Sequence, residues 1–335
     1  MDFTFDEDQL SVRQLANDIL SGPRERLWPA LAETGLIGIA LPEELGGSGA
    51  SFTEFCLLVE AGVPLIERVL LVAEFGTREQ RARLIPPVCA GDSALPAALE
   101  PGRAQAVPDK DGWRLSGEHL FVPQADRAQR ILVAADDGLF LVDPAGHGVE
   151  LRRQDTLTGE PEFALRLDDA VITVADVLRP PGESAQVLEW LLPRITAAYC
   201  VQQAGCAAAA LDLTAEHLRT REQFGRPLGA FQAARQRIAD AYIDVEGMRL
   251  TAWQAAWRLT EGRDAAEEVE IAAWWACDAG PRVLHTAQHL HGGLGTDLDY
   301  PLHRYFLEGK RTELILGGAS ARLLGLGELL AVSRS

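Results

Sequence analysis

The sequence predicts an α+β fold in three domains, on two observations. Helical periodicity at both ends of the chain encloses a stretch of short β-type runs. The chain is also long enough to bury more than one core: its 335 residues are 47% apolar, and single hydrophobic cores stop growing at about 250–300 residues.

The first domain, residues 1–92, reads as helices over Gln9 to Leu20, Leu27 to Gly35, Ser51 to Ala61 and Arg78 to Ala90. Asp and Ser at N-cap positions and a glycine-rich break, EELGGSGAS, delimit them. The second domain, residues 93–182, carries the runs WRLSGEHLFV, RILVAA, LFLVD, FALRL and AVITVADVL, separated by Asp-Gly, Pro and Gly turn signals. That density of strands predicts a small antiparallel barrel or sandwich. The third domain, residues 183–335, returns to helix. Ile195 to Leu218 forms the first helix, and Ile238, Tyr242, Val245, Ala252, Ala256 and Leu259 repeat at three- to four-residue spacing along the second. Amphipathic stretches from Ala265 to His291 and from Leu302 to Leu330 complete a four-helix bundle. Pro281 predicts a kink or break near Gly280.

Composition excludes several classes of function. A net charge of -18, with 49 acidic residues spread along the chain, argues against nucleic acid as a partner. It does not exclude phosphorylated cofactors, which helix N-termini and a few local arginines can hold. The start, MDFTFDEDQL, lacks the basic and apolar regions of a secretion signal, so a cytoplasmic location is expected. The longest uncharged run, Ile195 to Leu211, is shorter than the ~20 apolar residues a bilayer requires, so no membrane span is expected. Five scattered cysteines include no CxxC pair, and Cys200 and Cys206 in an alanine-rich helix read as small packing residues. His285, His289 and His291 lack a carboxylate motif such as HExxH, so no metal site is expected. Trp253, Trp257, Trp274 and Trp275 read as core or interface anchors.

Two segments of the last third carry the chemistry: TREQFGRPLGAFQ (220–232) and HLHGGLGTDLDYPLHRYFLEGKRTELILGGAS (289–320). With WPALAETGLIGIALPEELGG and GTREQRARLIPPVCAGD in the first domain, they resemble the acyl-CoA dehydrogenases across nearly the whole chain. The resemblance implies that family's fold, with a shortened N-terminal helical domain, a middle β-domain and a C-terminal four-helix bundle. The shortening, around Ser21 to Arg26 and Gly62 to Val72, argues against a deep pocket for a long straight acyl chain.

In that family a glutamate of a Glu-Gly pair removes the substrate's α-proton while a flavin accepts the β-hydride. The matching pair here is Leu316-Gly317, and leucine accepts no proton. The alternative position used by some members falls on Ile195, also apolar. Glu308 and Glu313 are the nearest substitutes, and a solvated charge or an ion pair to Lys310 or Arg311 is the ordinary explanation of Glu313. The family's flavin-contacting loops are replaced as well, by Leu99-Glu100-Pro101-Gly102 and by Phe121-Val122-Pro123-Gln124, where proline offers no amide hydrogen.

The elements that in the family reach a flavin bound by the neighbouring subunit are retained. Arg221, Gln223 and Phe224 match its RxxFG turn, Gln232 a following glutamine, and Gly292, Gly293 and Gly295 its HGGxG turn. His289 stands where a glutamine is usual, with Gln288 beside it. The resemblance therefore implies an FAD-dependent acyl-CoA dehydrogenase subunit similar to the smaller, base-lacking chain of bacterial steroid side-chain enzymes. It implies FAD shared with a larger homologue in a two-plus-two heterotetramer, a bulky acyl-CoA substrate and electron-transferring flavoprotein as electron acceptor. Two alternatives remain open at this point: a flavin-free scaffold or acyl-CoA-binding pseudoenzyme, and a homo-oligomeric dehydrogenase with a relocated base.

Overall fold

The computed structural model describes residues 4–64, 68–100 and 102–333. The N-terminal helices are α1 (Glu7–Leu20), α2 (Leu27–Glu33), α3 (Phe52–Ala61), α4 (Arg68–Phe75) and α5 (Arg78–Cys89). Thr77 starts α5 with a reciprocal capping box: its hydroxyl accepts from the Gln80 amide at 3.2 Å while Gln80 Oε1 accepts from the Thr77 amide at 2.9 Å. The expected helices are all present. α4 is an addition, since its continuous apolar run RVLLVAEF shows no clear period.

Strands follow: β1 (Ala97–Ala98), β2 (Ala104–Asp109), β3 (Gly112–Pro123), β4 (Ile131–Ala135), β5 (Gly138–Val142), β6 (Val149–Gln154), β7 (Glu162–Thr173) and β8 (Val177–Arg179). They form two four-stranded sheets, ordered β1-β4-β5-β8 and β2-β3-β7-β6, antiparallel except for the β1–β4 pair. Leu115, Val122, Ile131, Val133, Phe140, Val142 and Leu165 form one apolar cluster shared by both sheets. The run FALRL and the start of AVITVADVL, through Thr173, are one strand, not two. Asp169 takes a left-handed conformation (φ 56°) inside it, a geometry Asp tolerates, and its amide donates to Ser116 Oγ at 3.2 Å. β2 and β6 were not expected, because as exposed edge strands they carry polar and charged residues.

The remaining helices are α6 (Ala185–Thr220), α7 (Gln232–Thr260), α8 (Ala266–His291), α9 (Leu302–Ile315) and α10 (Ala319–Ser333). A short hairpin of β9 (Glu222–Gln223) and β10 (Arg226–Pro227) joins α6 to α7. Two expectations are corrected. Of the kink or break expected near Gly280 the break is absent, and α8 runs unbroken through Pro281: Gly280 before it has no Cβ for the proline ring to strike, which removes part of the usual penalty. The stretch from Leu302 to Leu330 is two helices, because Gly317 (φ 84°) and Gly318 (φ 83°) both turn left-handed. That stretch is apolar enough on average to cross a bilayer, but its helices have 14 and 15 residues, each short of the ~20 a span needs.

Packing groups the residues into two compact units: 1–17, 52–64 and 193–335 in one, and 18–51 and 65–192 in the other. In the first, α6, α7 and α8 meet through Ala204, Ala207, Leu211, Ala241, Val245, Met248, Ala279 and Val283. Small residues set the approach of these helices. A Cβ on Gly205 would strike the Glu60 carbonyl of α3, so only glycine lets α6 lie against that backbone. Trp253 is buried and its indole N–H donates to Glu60 Oε1 at 3.0 Å, which makes it a core anchor.

Candidate functional site

The last turn of α6 delivers Arg221. Its amide closes the helix on the His217 carbonyl at 2.9 Å, and its own carbonyl accepts from the Leu228 amide at 2.8 Å. The two-residue loop Phe224-Gly225 has φ of 52° and 76°, the doubly positive pattern of a type I′ hairpin. A phenylalanine in the left-handed region costs about 1–2 kcal/mol. The geometry nonetheless presents its ring at 91% exposure, edge-on to Phe231 at 6.1 Å, while the Arg226 guanidinium covers Phe231 at 4.1 Å. Gln232 opens α7 with no side-chain cap on the helix, so first-turn amides are left as donors.

α8 supplies the other wall. It ends at His291, and Gly292 follows at φ 62°, ψ -138°, a conformation essentially confined to glycine. Gly295 is tightly packed, since a Cβ there would sit 3.1 Å from the Gln288 carbonyl and 3.3 Å from His291 Cβ. Gly293 is different: a Cβ on it meets nothing within 4 Å, so the fold of this chain does not demand glycine there. Its backbone stands open to a group approaching from outside. Gln288 Nε2 reaches back to the Gly295 carbonyl at 3.5 Å, whereas His289 is exposed. A depression of about 570 Å³ lies here, lined by Arg237, His285, Thr286, Gln288, His289, Gly292 and Thr296. Arg237, Thr286 and Thr296 were missed in the sequence, because none of them belongs to a motif, and His285 was weighed there only as a metal ligand.

The position that the sequence matches to the family's base is apolar. Leu316 caps α9 and is 2% exposed. Glu308 accepts from Gln202 Nε2 at 3.2 Å and from Arg311 at 3.4 Å, and Glu313 pairs with Lys310 at 2.9 Å. Ile195 and Thr196 are half-buried on α6, and Arg194 donates to the Leu259 carbonyl at 3.4 Å. In the β-domain, Phe121 is left-handed (φ 56°) and its amide donates to Gln154 Oε1 at 2.7 Å. Gln124 is also left-handed (φ 53°). Of the other altered loop, Pro101 lies outside the described residues. The five cysteines are free, and burial pushes the Cys206 thiol up to about 12 and Cys277 to about 11, so both stay neutral.

Residues 187–326 match the family "Acyl-CoA dehydrogenase, C-terminal domain" and residues 7–92 match "Acyl-CoA dehydrogenase, N-terminal domain". Among curated relatives, acyl-CoA dehydrogenase FadE27 of Mycobacterium tuberculosis is 40% identical over 91% of this chain and 88% of its own length. Among solved structures, the Tcur3481-Tcur3483 steroid ACAD G363A variant is 39% identical with a TM-score of 0.88, covering 98% of this chain and 99% of its own. The ChsE4-ChsE5 complex from Mycobacterium tuberculosis is 35% identical with a TM-score of 0.92, covering 99% of each chain. The chain belongs to the acyl-CoA dehydrogenase family.

Proposed function

We propose that this chain is the base-lacking subunit of an FAD-dependent acyl-CoA dehydrogenase. The enzyme introduces an α,β double bond into a bulky acyl-CoA thioester, and a larger homologue supplies the catalytic carboxylate in a two-plus-two heterotetramer. The observation that carries this reading is the buried Leu316 at the base position, with both neighbouring carboxylates already engaged in ion pairs or hydrogen bonds. Proton abstraction needs a carboxylate within reach of the α-carbon, and these residues do not offer one.

This chain's share is to hold and orient. Bound FAD supplies the acceptor for the hydride leaving the β-carbon. Arg221 would pair its guanidinium with the diphosphate, the exposed Phe224 ring and Gln232 would hold the adenosine part, and Gly292, Gly293 and Gly295 would let the backbone approach the diphosphate. His289, with Gln288 turned inward, faces the same group. Pro123 and the engaged Phe121 amide make this chain's own β-domain a poor flavin-ring site, so the cradle serves the flavin of the partner.

A steroid side-chain substrate is favoured by the steroid ACAD among the similar structures and by the shortened first domain, and a partner of the same family by the ChsE4-ChsE5 complex. Electron-transferring flavoprotein is the proposed acceptor and the cytoplasm the proposed location. Arg221→Ala in the complex with the larger homologue should strip FAD. Unchanged flavin content in that variant would remove Arg221 from the site.

A further inference from the structure

The imidazole of His291 joins three elements. Its Nδ1 lies 2.8 Å from the Ala287 carbonyl oxygen and its Nε2 lies 3.0 Å from the Tyr300 hydroxyl. A carbonyl can only accept, so Nδ1 carries the proton and Nε2 accepts from the Tyr300 O–H. The face of the same ring stacks on His217, with centroids 4.3 Å apart and planes at 21°. His217 belongs to the last turn of α6 and its carbonyl receives the Arg221 amide. Tyr300 closes the loop that follows the glycine turn, with its amide on the Asp297 carbonyl at 3.2 Å. His291 is itself 6% exposed.

The two halves of the cradle, the Arg221 hairpin and the Gly292–Thr296 turn, come from α6 and α8, whose ends are 71 residues apart in the chain (Thr220 to His291). The glycine turn is intrinsically permissive, and a diphosphate is bound well only where its donors are held in place beforehand. The stack and the hydrogen bond tie both halves to one buried ring. Burial holds both imidazoles below their ordinary pKa, so at neutral pH the contact is between uncharged rings and carries no repulsion.

We propose that His291, hydrogen-bonded by Tyr300 and stacked on His217, is a positioning residue that locks the Arg221 hairpin and the Gly292–Thr296 turn into one diphosphate cradle for the partner's FAD. This rests on the shared-cofactor reading above. His291 touches no reacting atom and acts through the geometry of Arg221 and Gly293.

The test measures FAD dissociation from the complex with the larger homologue, alongside the melting temperature of the same complex. Tyr300→Phe removes one hydroxyl and should weaken FAD binding roughly three- to ten-fold, with little change in melting temperature. His217→Ala should weaken it similarly, while His217→Phe, which restores a flat ring, should return near wild-type affinity. The effects of Tyr300→Phe and His217→Ala should be non-additive, since both act on one ring. Wild-type FAD affinity in Tyr300→Phe and His217→Ala, with FAD lost in Arg221→Ala, would overturn the brace alone. Retention of FAD in Arg221→Ala would overturn the shared-cofactor reading and the brace with it. A lowered melting temperature with unchanged FAD dissociation would reduce the cluster to a packing role and overturn the proposal.

Discussion

Arg322 Nε donates to the carbonyl oxygen of Leu316 at 2.6 Å, and the same guanidinium pairs with Glu270 at 3.0 Å. The end of α9 is thereby fixed from the side, and the Gly318 amide fixes it along the axis by donating to the Glu313 carbonyl at 3.2 Å. The residue at 316 is held inward whatever its chemistry. Leu316→Glu should therefore bury a carboxylate, destabilise the chain by about 2–4 kcal/mol and leave the isolated protein colourless. Thermal melts and absorbance spectra check both. A stable, yellow variant would mean that the position opens onto a working flavin site within this chain.

Gly280 lies against the side chain of Gln203, and a Cβ added there would collide with its amide. Gln203 is fully buried, so Gly280→Ala should cost about 1–3 kcal/mol by overpacking. Chemical denaturation of the isolated chain measures it. A neutral result would show that the α6–α8 contact is looser than described.

Phe224 occupies a backbone conformation that glycine adopts freely. Phe224→Gly should raise the stability of the isolated chain by up to about 1 kcal/mol and lower the FAD retained by the complex. Such a trade marks a residue displayed for contact with another molecule. Lower stability with full FAD retention would make Phe224 a hairpin residue only.

The His217–His291 stack sets a pH dependence. Burial, the largest cause, depresses the folded pKa of both below 6.5, and for His217 the neighbouring His291 and Arg221 add to it. In the unfolded chain both titrate at their ordinary values, so the unfolded state binds protons more readily. Their contribution is full above pH 6.5 and is lost as pH falls through the folded values. Tyr300, its pKa raised by burial, stays protonated in that window. Melting temperature should fall as pH drops below about 6.5, and fall less in His217→Phe. Parallel curves for the two proteins would contradict the assignment.

Much of this was legible because local chemistry and tertiary context agree. The helices of the first domain, the buried strands β4 and β5, and the RxxFG and HGGLG turns each carry their own signal. What escaped depends on context. β2 and β6 are edge strands whose exposed charges imitate loop, and Gly280 lets α8 continue through Pro281. His217 was invisible because its partner His291 lies on another helix. Arg237 and His285 reach one depression only once α7 and α8 are side by side.

The most direct measurement is flavin content and thioester dehydrogenation by the purified chain, alone and co-expressed with a larger acyl-CoA dehydrogenase homologue. The expected result is a colourless, inactive chain alone and a yellow, active complex. A chain that binds FAD by itself and dehydrogenates an acyl-CoA thioester would contradict a base supplied by the partner.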